Sequence, residues 1–354
     1  MIDRICTIGP ASNSREVISE LIDHGMKMIR LNLSHGNHQS HDDVIQLVRS
    51  ISEEKGKEIK ILGDLQGPKI RLGQFSDDSI HLQEGDQFIL TIDEVVGNNK
   101  VGSIDYKGLI HDVKKGSKIL INDGEVELTV TEIGADSIKC VVKVGGTISS
   151  RKGINVPGTA LSLPAITEKD KQDIQFLINN QVDFIACSFI RKPTHIENIR
   201  EFLKQRTPNP PKVMAKIETL EALQNFKEIS GKADAIMIAR GDLGVELPFQ
   251  WIPLIQKAIL DECNKEGKYV VTATQMLQSM TENAVPTRAE VTDIFQAVLD
   301  GTNAVMLSAE SAAGSHPIES IDTLRRVSHF SEIVKKYNPY DINDLLKLIN
   351  NELI

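Results

Sequence analysis

The sequence has few of the features that mark secreted or membrane proteins. It contains only four cysteines, Cys6, Cys140, Cys187 and Cys263, and their wide spacing fits neither a zinc site nor a disulfide framework. No apolar run approaches the roughly 18 to 20 residues that cross a bilayer. The N-terminal segment MIDRICTIGP has no basic and then apolar signal pattern. We therefore expect a cytoplasmic protein that does not act at a membrane.

An excess of basic residues is also absent. The formal net charge is -9, from 40 Lys and Arg against 49 Asp and Glu. Proteins that bind nucleic acids need a basic face to neutralise phosphates, so this charge argues against a nucleic-acid partner. A small phosphorylated ligand in a local cationic pocket stays compatible with it.

Short apolar segments alternate with amphipathic ones along most of the chain, which is typical of strand-helix units and a parallel sheet. Eight strands are predicted, each followed by a helix-like segment: RICTI, MKMIRLNL, IKILGD, VDFIACSF, KVMAKI, AIMIAR, YVVTAT and NAVMLSA. Eight such units that close on themselves predict an α/β fold, the (β/α)8 TIM barrel.

One interval interrupts the alternation between the third strand and the third helix. From Gly67 to Gly158 the sequence is rich in glycine and carries five short alternating segments: SIHLQ, QFILTI, KILIN, EVELTV and SIKCVV. Turn signals such as Asn122-Asp123-Gly124 separate them. We predict a small all-β domain, a β-barrel lid, inserted after the third strand.

These patterns also predict the domain boundaries. The barrel comprises 1–66 and 159–337, the inserted lid 67–158, and a C-terminal tail helix 338–354. Pro339 would separate the tail from the last barrel helix, and the apolar residues of the tail suit docking on the barrel or on a partner subunit.

Polar side chains follow the apolar strands at the positions where the functional loops of a barrel begin. They are Arg30, Asn32 and Ser34 from the end of strand two, Asp64 from three, Ser188 from four, Lys216 and Glu218 from five, Arg240 and Asp242 from six, Thr272 and Thr274 from seven, and Ser308 and Glu310 from eight. Any one of them could instead cap a helix or brace the barrel rim. Converging acids and cations are costly unless a ligand compensates them, so the set predicts a ligand with a metal ion and phosphates.

Glu218 and Asp242 follow adjacent strands, and paired carboxylates beside phosphate-binding cations are the expected protein ligands of Mg²⁺. Lys216 lies two residues before Glu218 and so on the same side of its strand, where it would neutralise a phosphoryl group in transfer. Arg240-Gly241-Asp242 is also a cell-adhesion tripeptide, but an adhesion ligand must leave the cell. We interpret it as a bracing arginine, a glycine that lets a ligand approach the backbone, and a metal-binding acid.

Two other patterns are weak. His35, His38 and His41 are spaced by three, but no accompanying cysteine or acid cluster completes a transition-metal site. The glycine-rich segments GGTIS and KGINVPG match no phosphate-loop or dinucleotide fingerprint.

A series of motifs between Cys6 and about Val327 resembles the pyruvate kinase family: CTIGPAS, RLNLSHG, DLQGPKIR, KGINVPG, SFIRK, AKIE, ARGDLGVE, TATQMLQSM, PTRAEV and AVLDGTNAVMLSAE. The resemblance implies a glycolytic enzyme that transfers a phosphoryl group from phosphoenolpyruvate to ADP and protonates the enolpyruvate to pyruvate. It implies Mg²⁺ as the metal, with Mn²⁺ as a substitute, and a homo-oligomer, a dimer or tetramer, assembled through barrel contacts.

The resemblance assigns the site residues to three groups. The groups are Lys216, Arg30, Thr274, Ser308, Ser188, Gly241 and Asp242 for substrate and catalysis, Arg30, His35, Arg71 and Lys152 for the nucleotide side, and Glu218 and Asp242 for the metal. Lys216 offsets charge on the phosphoryl and enolate oxygens, and Thr274 lies near the proton delivered to carbon. Ser188 and Ser308 support this shell, Ser308 through water. Lys152 arrives when the lid closes and water is excluded.

One departure from the family concerns potassium. Members that require K⁺ bind it through residues matching Asn32, Ser34, Asp64 and the carbonyl of Leu65, and they carry a glutamate where this chain has Lys69. A tethered ammonium can replace a diffusible cation, so the resemblance predicts activity without K⁺. The alternative is a solvated Lys69 without that role.

A second departure lies at the C-terminus. Family members continue into a domain that binds sugar phosphates, whereas this sequence stops soon after the barrel, so we expect no response to fructose 1,6-bisphosphate at that site. Two other functions stay open, a catalytically dormant relative and an aldolase-like barrel lyase. ADP binding and turnover would discriminate between them.

Overall fold

A computed structural model describes residues 1–337 and 341–352 of the chain; Pro339, the expected helix breaker, lies outside the described residues. The strands are β1 (Asp3–Thr7), β2 (Met28–Asn32), β3 (Lys60–Asp64), β4 (Ile70–Arg71), β5 (Ser79–Leu82), β6 (Gln87–Thr91), β7 (Val101–Ser103), β8 (Lys118–Ile121), β9 (Val126–Ile133), β10 (Ser137–Val144), β11 (Gly146–Ser149), β12 (Gly153–Asn155), β13 (Phe184–Cys187), β14 (Lys212–Ile217), β15 (Ala235–Ala239), β16 (Tyr269–Ala273) and β17 (Ala304–Leu307).

The helices follow the barrel strands, with one short helix inside the inserted segment. They are α1 (Arg15–Asp23), α2 (His38–Lys55), α3 (Leu109–Asp112), α4 (Glu168–Asn179), α5 (Pro193–Lys204), α6 (Leu220–Gln224), α7 (Phe226–Lys232), α8 (Arg240–Glu246), α9 (Ile252–Lys265), α10 (Arg288–Leu299), α11 (Ala309–Ala312), α12 (Pro317–Tyr337) and α13 (Ile342–Glu352), with 3-10 turns at Phe249–Trp251 and Gln278–Thr281.

Eight strands form a closed barrel in the order β1-β17-β16-β15-β14-β13-β3-β2. They are the eight strands predicted from the sequence, and the pairs β1·β2, β1·β17, β13·β14, β14·β15 and β16·β17 are all parallel. Every residue of β13, β15 and β17 is buried, as expected for parallel strands covered on both faces. The predicted TIM barrel with an inserted β domain is therefore confirmed.

Side-chain caps begin several of the helices. Ser14, Thr167 and Thr287 each accept a hydrogen bond from a backbone amide in the first turn of α1, α4 and α10. Gly25 and Gly301 follow α1 and α10 with φ of +90° and +99°. That left-handed conformation strains any residue with a Cβ, so glycine ends these helices cleanly.

The chain divides into two compact units. One comprises Met1–Asn32, Gly36–Leu62 and Gln256–Ile354, and the other comprises Leu33–His35 and Gly63–Ile255. They are called the first and the second unit.

The second unit contains the inserted sheet. Seven strands lie in the order β4-β12-β8-β9-β10-β6-β7, and β5 pairs with β11. The two end strands approach each other through a bridge between Leu72 and Ile104, so the sheet curls around a core of its own. The interval is not purely antiparallel, because β6 and β7 pair in parallel, and it is not purely β, because α3 makes one helical turn.

All four cysteines are buried as free thiols. Within the described parts of the chain, no helix has the length and apolar character needed to cross a bilayer. In α13, Ile342, Leu346 and Ile349 are exposed, and docking of the tail on the barrel or on a partner subunit stays a prediction.

Candidate functional site

A buried cluster of charged side chains lies at the ends of β3, β13 and β14 in the second unit. The Lys216 ammonium donates to Ser188 Oγ at 2.7 Å, and it lies 3.0 Å from Glu218 Oε1 and 3.2 Å from Asp64 Oδ1. The side chains of Lys216, Asp64 and Glu218 are 11%, 2% and 1% exposed. Charges are rarely buried unless they are paired and hydrogen-bonded, and this lysine meets three oxygens.

Strand geometry places the members of this cluster. The side chains of a strand alternate between two faces, so Lys216 and Glu218, two residues apart at the end of β14, project to the same side. Ser188 follows β13, and its hydroxyl donates to the Leu65 carbonyl at 2.8 Å. The loops after β3, β13 and β14 are thereby linked.

Glu218 carries a charge that its surroundings disfavour. Burial raises the pKa of its carboxyl, the neighbouring Asp242 charge raises that pKa further, and Lys216 together with the hydrogen bond from the Phe189 amide lowers it. That amide lies 2.6 Å from Glu218 Oε2. Two acids near each other in a buried setting indicate a place where an added cation would be stabilising.

Asp242 lies in the first turn of α8, directly after β15, and its side chain is 26% exposed. Its Oδ1 lies 3.2 Å from the Lys69 ammonium. Gly241 shares this first turn, where backbone amides have no acceptor within the helix. The Arg-Gly-Asp tripeptide is therefore a helix start rather than an exposed turn.

Lys69 links Asp242 to the inserted sheet. Its ammonium lies 3.6 Å from Asp123 Oδ1 and 5.9 Å from the centroid of the Phe189 ring. Its side chain is 20% exposed, so it is not a fully solvated lysine. Asn122 and Asp123 have φ of +55° and +53°, and this tight turn carries the Asp123 carboxylate.

The predicted potassium-site residues fall in both units. Asp64, Leu65, Ser34 and Lys69 belong to the second unit, and Asn32 belongs to the first. The Leu33 amide donates to the Asp64 carbonyl at 2.9 Å, which holds the segment before Ser34 against the end of β3.

The predicted nucleotide contacts His35, Arg71 and Lys152 all belong to the second unit. Arg71 ends β4 and donates to the Arg151 carbonyl at 3.0 Å, and its own amide donates to Asp105 at 2.8 Å. Lys152 directly precedes β12, the neighbour of β4 in the sheet, so Arg71 and Lys152 lie on adjacent segments. His35 and Lys152 are exposed.

In the first unit, Arg30 lies in the middle of β2, which ends at Asn32. Its guanidinium donates to Thr7 Oγ1 at 3.1 Å, and that hydroxyl donates to the Leu307 carbonyl at 2.8 Å. Thr7 was missed by sequence reasoning, although it lies in the CTIGPAS motif and closes a strand. A search of every polar strand end would have found it.

Thr274 follows β16 in a conformation that β-branched residues rarely adopt. Its φ is +66°, and that of Gln275 is +55°. The Thr274 hydroxyl donates to the Ala273 carbonyl at 2.7 Å. Such backbone strain costs about 1–3 kcal/mol and is concentrated at functional sites.

Ser308 and Glu310 follow β17. Glu310 does not suit a ligand contact, because its side chain is buried and already hydrogen-bonded. Glu310 is fully buried, and its two oxygens accept backbone amides from Leu277 at 3.0 Å and Ser308 at 2.7 Å. Thr272 is also fully buried and donates to Thr302. Glu310 and Thr272 are therefore structural braces, which was the alternative left open for every strand end.

His38 and His41 lie in the first turn of α2, whereas His35 precedes the helix. Across residues 1–337 and 341–352, no group of three or more His, Cys, Asp or Glu side chains converges in a way that could hold a metal ion. A metal in the second unit would have to rely on fewer protein ligands, as Mg²⁺ does when phosphates and water complete its shell.

Comparison with known proteins shows which family the chain belongs to. The family model described as pyruvate kinase, barrel domain, matches residues 2–321. The chain is 46% identical to a pyruvate kinase of Clostridium perfringens, covering 94% of this chain and 71% of that protein. It is 47% identical to one of Bacillus licheniformis and 44% identical to one of Staphylococcus aureus, and it spans only 56% and 60% of their lengths.

A crystal structure of a pyruvate kinase from Cryptosporidium parvum superposes with a TM-score of 0.90 at 41% identity, covering 94% of this chain and 69% of that chain. The fold, the motifs and the relatives agree, and the chain belongs to the pyruvate kinase family of enzymes.

Proposed function

We propose that the protein catalyses phosphoryl transfer from phosphoenolpyruvate to ADP, giving pyruvate and ATP in glycolysis. The observation that carries the proposal is the buried Lys216 ammonium held by Asp64, Ser188 and Glu218 at 2.7–3.2 Å. A fixed positive charge beside two acids suits a reaction in which charge moves between phosphoryl and enolate oxygens.

The residues present fit a divalent metal ion. Glu218 and Asp242 supply hard carboxylate oxygens, and the Asp242 charge disfavours ionised Glu218 in this buried setting. These two acids would hold Mg²⁺, or Mn²⁺ in its place, and the bound ion would neutralise phosphoryl and carboxylate oxygens of the substrate.

Lys216 would stabilise the negative charge that develops as the phosphoryl group leaves the enolate oxygen. Its three oxygen partners fix the ammonium before substrate arrives, so little reorganisation is needed during the reaction. Ser188 supports this position because it contacts both Lys216 and the Leu65 carbonyl.

The remaining substrate contacts follow from the family resemblance. Arg30 would contact the transferring phosphoryl group, and the amides of Gly241 and Asp242 would bind the substrate carboxylate together with Thr274. Thr274 would assist delivery of the proton to carbon. Ser308 would assist it through a water molecule.

The nucleotide side would use Arg30, His35, Arg71 and Lys152. We propose the domain boundaries predicted from the sequence, with 67–158 as a lid on a barrel of 1–66 and 159–337 and with 338–354 as a tail. Closure of the lid would bring Lys152 to the nucleotide and exclude water, which competes for the phosphoryl group.

Activity is proposed to be independent of K⁺. The Lys69 ammonium lies 3.2 Å from Asp242, so a positive charge is tethered beside an acid of the proposed metal site.

The protein is further proposed to act in the cytoplasm as a homo-oligomer, a dimer or tetramer. Phe249, Trp251 and Leu254 are 83%, 50% and 59% exposed and suit burial between subunits.

A coupled assay with lactate dehydrogenase tests the reaction directly, with phosphoenolpyruvate, ADP and Mg²⁺ supplied in K⁺-free buffer. NADH oxidation that requires both ADP and Mg²⁺ is expected. Binding of ADP without turnover would indicate a dormant relative, and absence of both ADP binding and turnover would favour the lyase. Pyruvate release without ADP would indicate hydrolysis of phosphoenolpyruvate, with water as the phosphoryl acceptor. Glu218→Gln should lower kcat by at least about 100-fold if this acid is part of the metal site.

A further inference from the structure

A cavity of about 270 Å³ lies in the second unit beside the two segments that connect the inserted sheet to the barrel strands. Pro68 and Ile70 line it from one connecting segment, and Val156 to Leu163 line it from the other. Phe189 and Arg191 after β13 and the segment from Thr219 to Asn225 after β14 complete most of its wall. Among the described lining residues are Lys69 but none of Lys216, Glu218 and Asp242, so the cavity adjoins the proposed metal site without containing its acids.

Two charged groups in the cavity wall are not fully satisfied. Arg191 is 4% exposed, and its Nη2 donates to the Leu163 carbonyl at 2.7 Å. Its Nε lies 3.9 Å from Glu221 Oε2, too far for a hydrogen bond. Within residues 1–337 and 341–352, neither of these two buried atoms has a hydrogen-bond partner. A buried polar atom left unpaired costs about 1–3 kcal/mol.

The other charged side chains of the wall are already paired. Lys69 lies against Asp242 and Asp123. Glu246 accepts hydrogen bonds from the Asn155 side chain and the Leu220 amide. Among the charged side chains that line the cavity, the buried atoms without a hydrogen-bond partner are therefore one donor, Arg191 Nε, and one acceptor, Glu221 Oε2.

This pair selects for the charge of a ligand. A carboxylate would satisfy Arg191 but repel Glu221, and an ammonium would do the reverse. An amide places its oxygen and nitrogen about 2.3 Å apart, so hydrogen bonds of about 2.9 Å can reach two protein atoms 3.9 Å apart. An uncharged carboxamide or lactam thus satisfies both groups at once.

The size of the cavity limits the rest of the ligand. A cavity of about 150 Å³ holds one benzene ring. The 270 Å³ available here accommodates such a ring with one polar group, and Leu161, Leu163 and Phe189 supply apolar wall.

We propose that this cavity is a binding site for an uncharged small molecule with a carboxamide or lactam group, which bridges Arg191 and Glu221, and an apolar ring. The proposal does not depend on the reaction proposed above. Such a ligand would contact both connecting segments of the inserted sheet.

Benzamide, benzoate and benzylamine form a matched set of probes, because they share the ring and differ in the charge of the polar group. Calorimetry on the full chain should give benzamide a Kd at least tenfold lower than those of the other two, and a crystal soak should place it against Arg191 and Glu221. Saturating Mg²⁺ and oxalate should change that Kd by less than twofold. Equal affinities, displacement by oxalate, or only ordered water between the two residues would overturn the proposal.

Variants separate this site from nonspecific binding. Glu221→Met should weaken benzamide at least tenfold. Lys192→Met should not, because Lys192 contacts Glu221 Oε1 at 3.5 Å from outside the cavity wall. If Glu221→Met does not fold, Arg191→Lys, which removes the Nε donor and keeps the charge, serves instead. Wild-type affinity in a folded variant of either residue would refute the bridge.

Discussion

Two lysines of the second unit stand beside acids of the same proposed metal site, yet their surroundings differ. Lys216 is 11% exposed and meets three oxygens, whereas Lys69 is 20% exposed and reaches from Asp242 to Asp123, whose side chain is 75% exposed. A buried ammonium must keep its partners because each lost contact leaves an uncompensated charge. A partly exposed charge such as that of Lys69 is screened by water and can exchange partners at a low cost in free energy. The contrast assigns a fixed role to Lys216 and an adjustable one to Lys69.

Replacing Lys216 should have the largest effect. In Lys216→Met, kcat should fall about 1000-fold, because a preorganised charge at the reacting oxygens is lost. Asp64 and Glu218 would be left without their cation, so the free energy of unfolding should fall by about 3–5 kcal/mol. The coupled assay and urea denaturation measure these two losses. A variant with native stability and more than a tenth of the activity would contradict the fixed role.

A buried histidine should make the free energy of unfolding depend on pH. His195 is 8% exposed, and burial lowers its pKa to about 4, with the Arg191 and Lys192 charges adding to the shift. The unfolded chain therefore binds the proton more readily below about pH 6.5, so the stability from neutral His195 is complete above that pH and is lost as pH falls towards 4. This loss should be on the order of 2 kcal/mol between pH 7 and pH 4.5.

His195→Asn keeps an acceptor for the Arg191 amide and cannot be protonated, so its unfolding free energy should fall less steeply over this pH range. His111→Asn, at an exposed position, is the matched control and should follow the wild-type curve. Identical curves for the wild type and His195→Asn would show that His195 is not the acid-sensitive group.

Lys69→Glu tests whether the partly exposed lysine charge replaces K⁺. Without its tethered charge, activity in K⁺-free buffer should fall about tenfold, or about 1.4 kcal/mol, and added K⁺ should restore it. Stability should change by less than about 1 kcal/mol, because the pair is partly exposed. A variant that stays fully active without K⁺ would remove the proposed role of this lysine.

Asp123→Asn should have the smallest effect. Its partner Lys69 keeps Asp242, and its carboxylate is well solvated, so stability should change by less than about 0.5 kcal/mol. The same denaturation measurements test this expectation. A loss of stability above about 2 kcal/mol would mean that the contact between Lys69 and Asp123 is as fixed as the contacts of the buried Lys216.

The sequence predicts the barrel well because each barrel strand is a short apolar segment that ends in polar residues. The inserted interval is harder, since β4, β7 and β12 have two or three residues each and gain their pairing from distant strands rather than from local propensity. Period two along β14 is enough to place Lys216 and Glu218 on one side.

Tertiary contacts decide what the sequence leaves open at the strand ends. Glu310 and Thr272 lie at strand ends, as the candidate site residues do. Their hydrogen bonds to backbone amides and to a buried hydroxyl show that they hold the structure together. Thr7 escaped notice because its role is to hold Arg30, which depends on the pairing of β1 with β2. The unsatisfied Arg191 and Glu221 pair has no sequence signature, because its atoms come together only after folding.

The four buried thiols have a practical consequence. Burial raises the pKa of all four, so at neutral pH they remain protonated and react slowly with maleimides or iodoacetamides. A cysteine introduced at the exposed Lys143 position of β10, which is not one of the proposed nucleotide contacts, would then be labelled selectively. A fluorophore or spin label attached there would report, molecule by molecule, whether the inserted sheet moves as proposed when substrates bind.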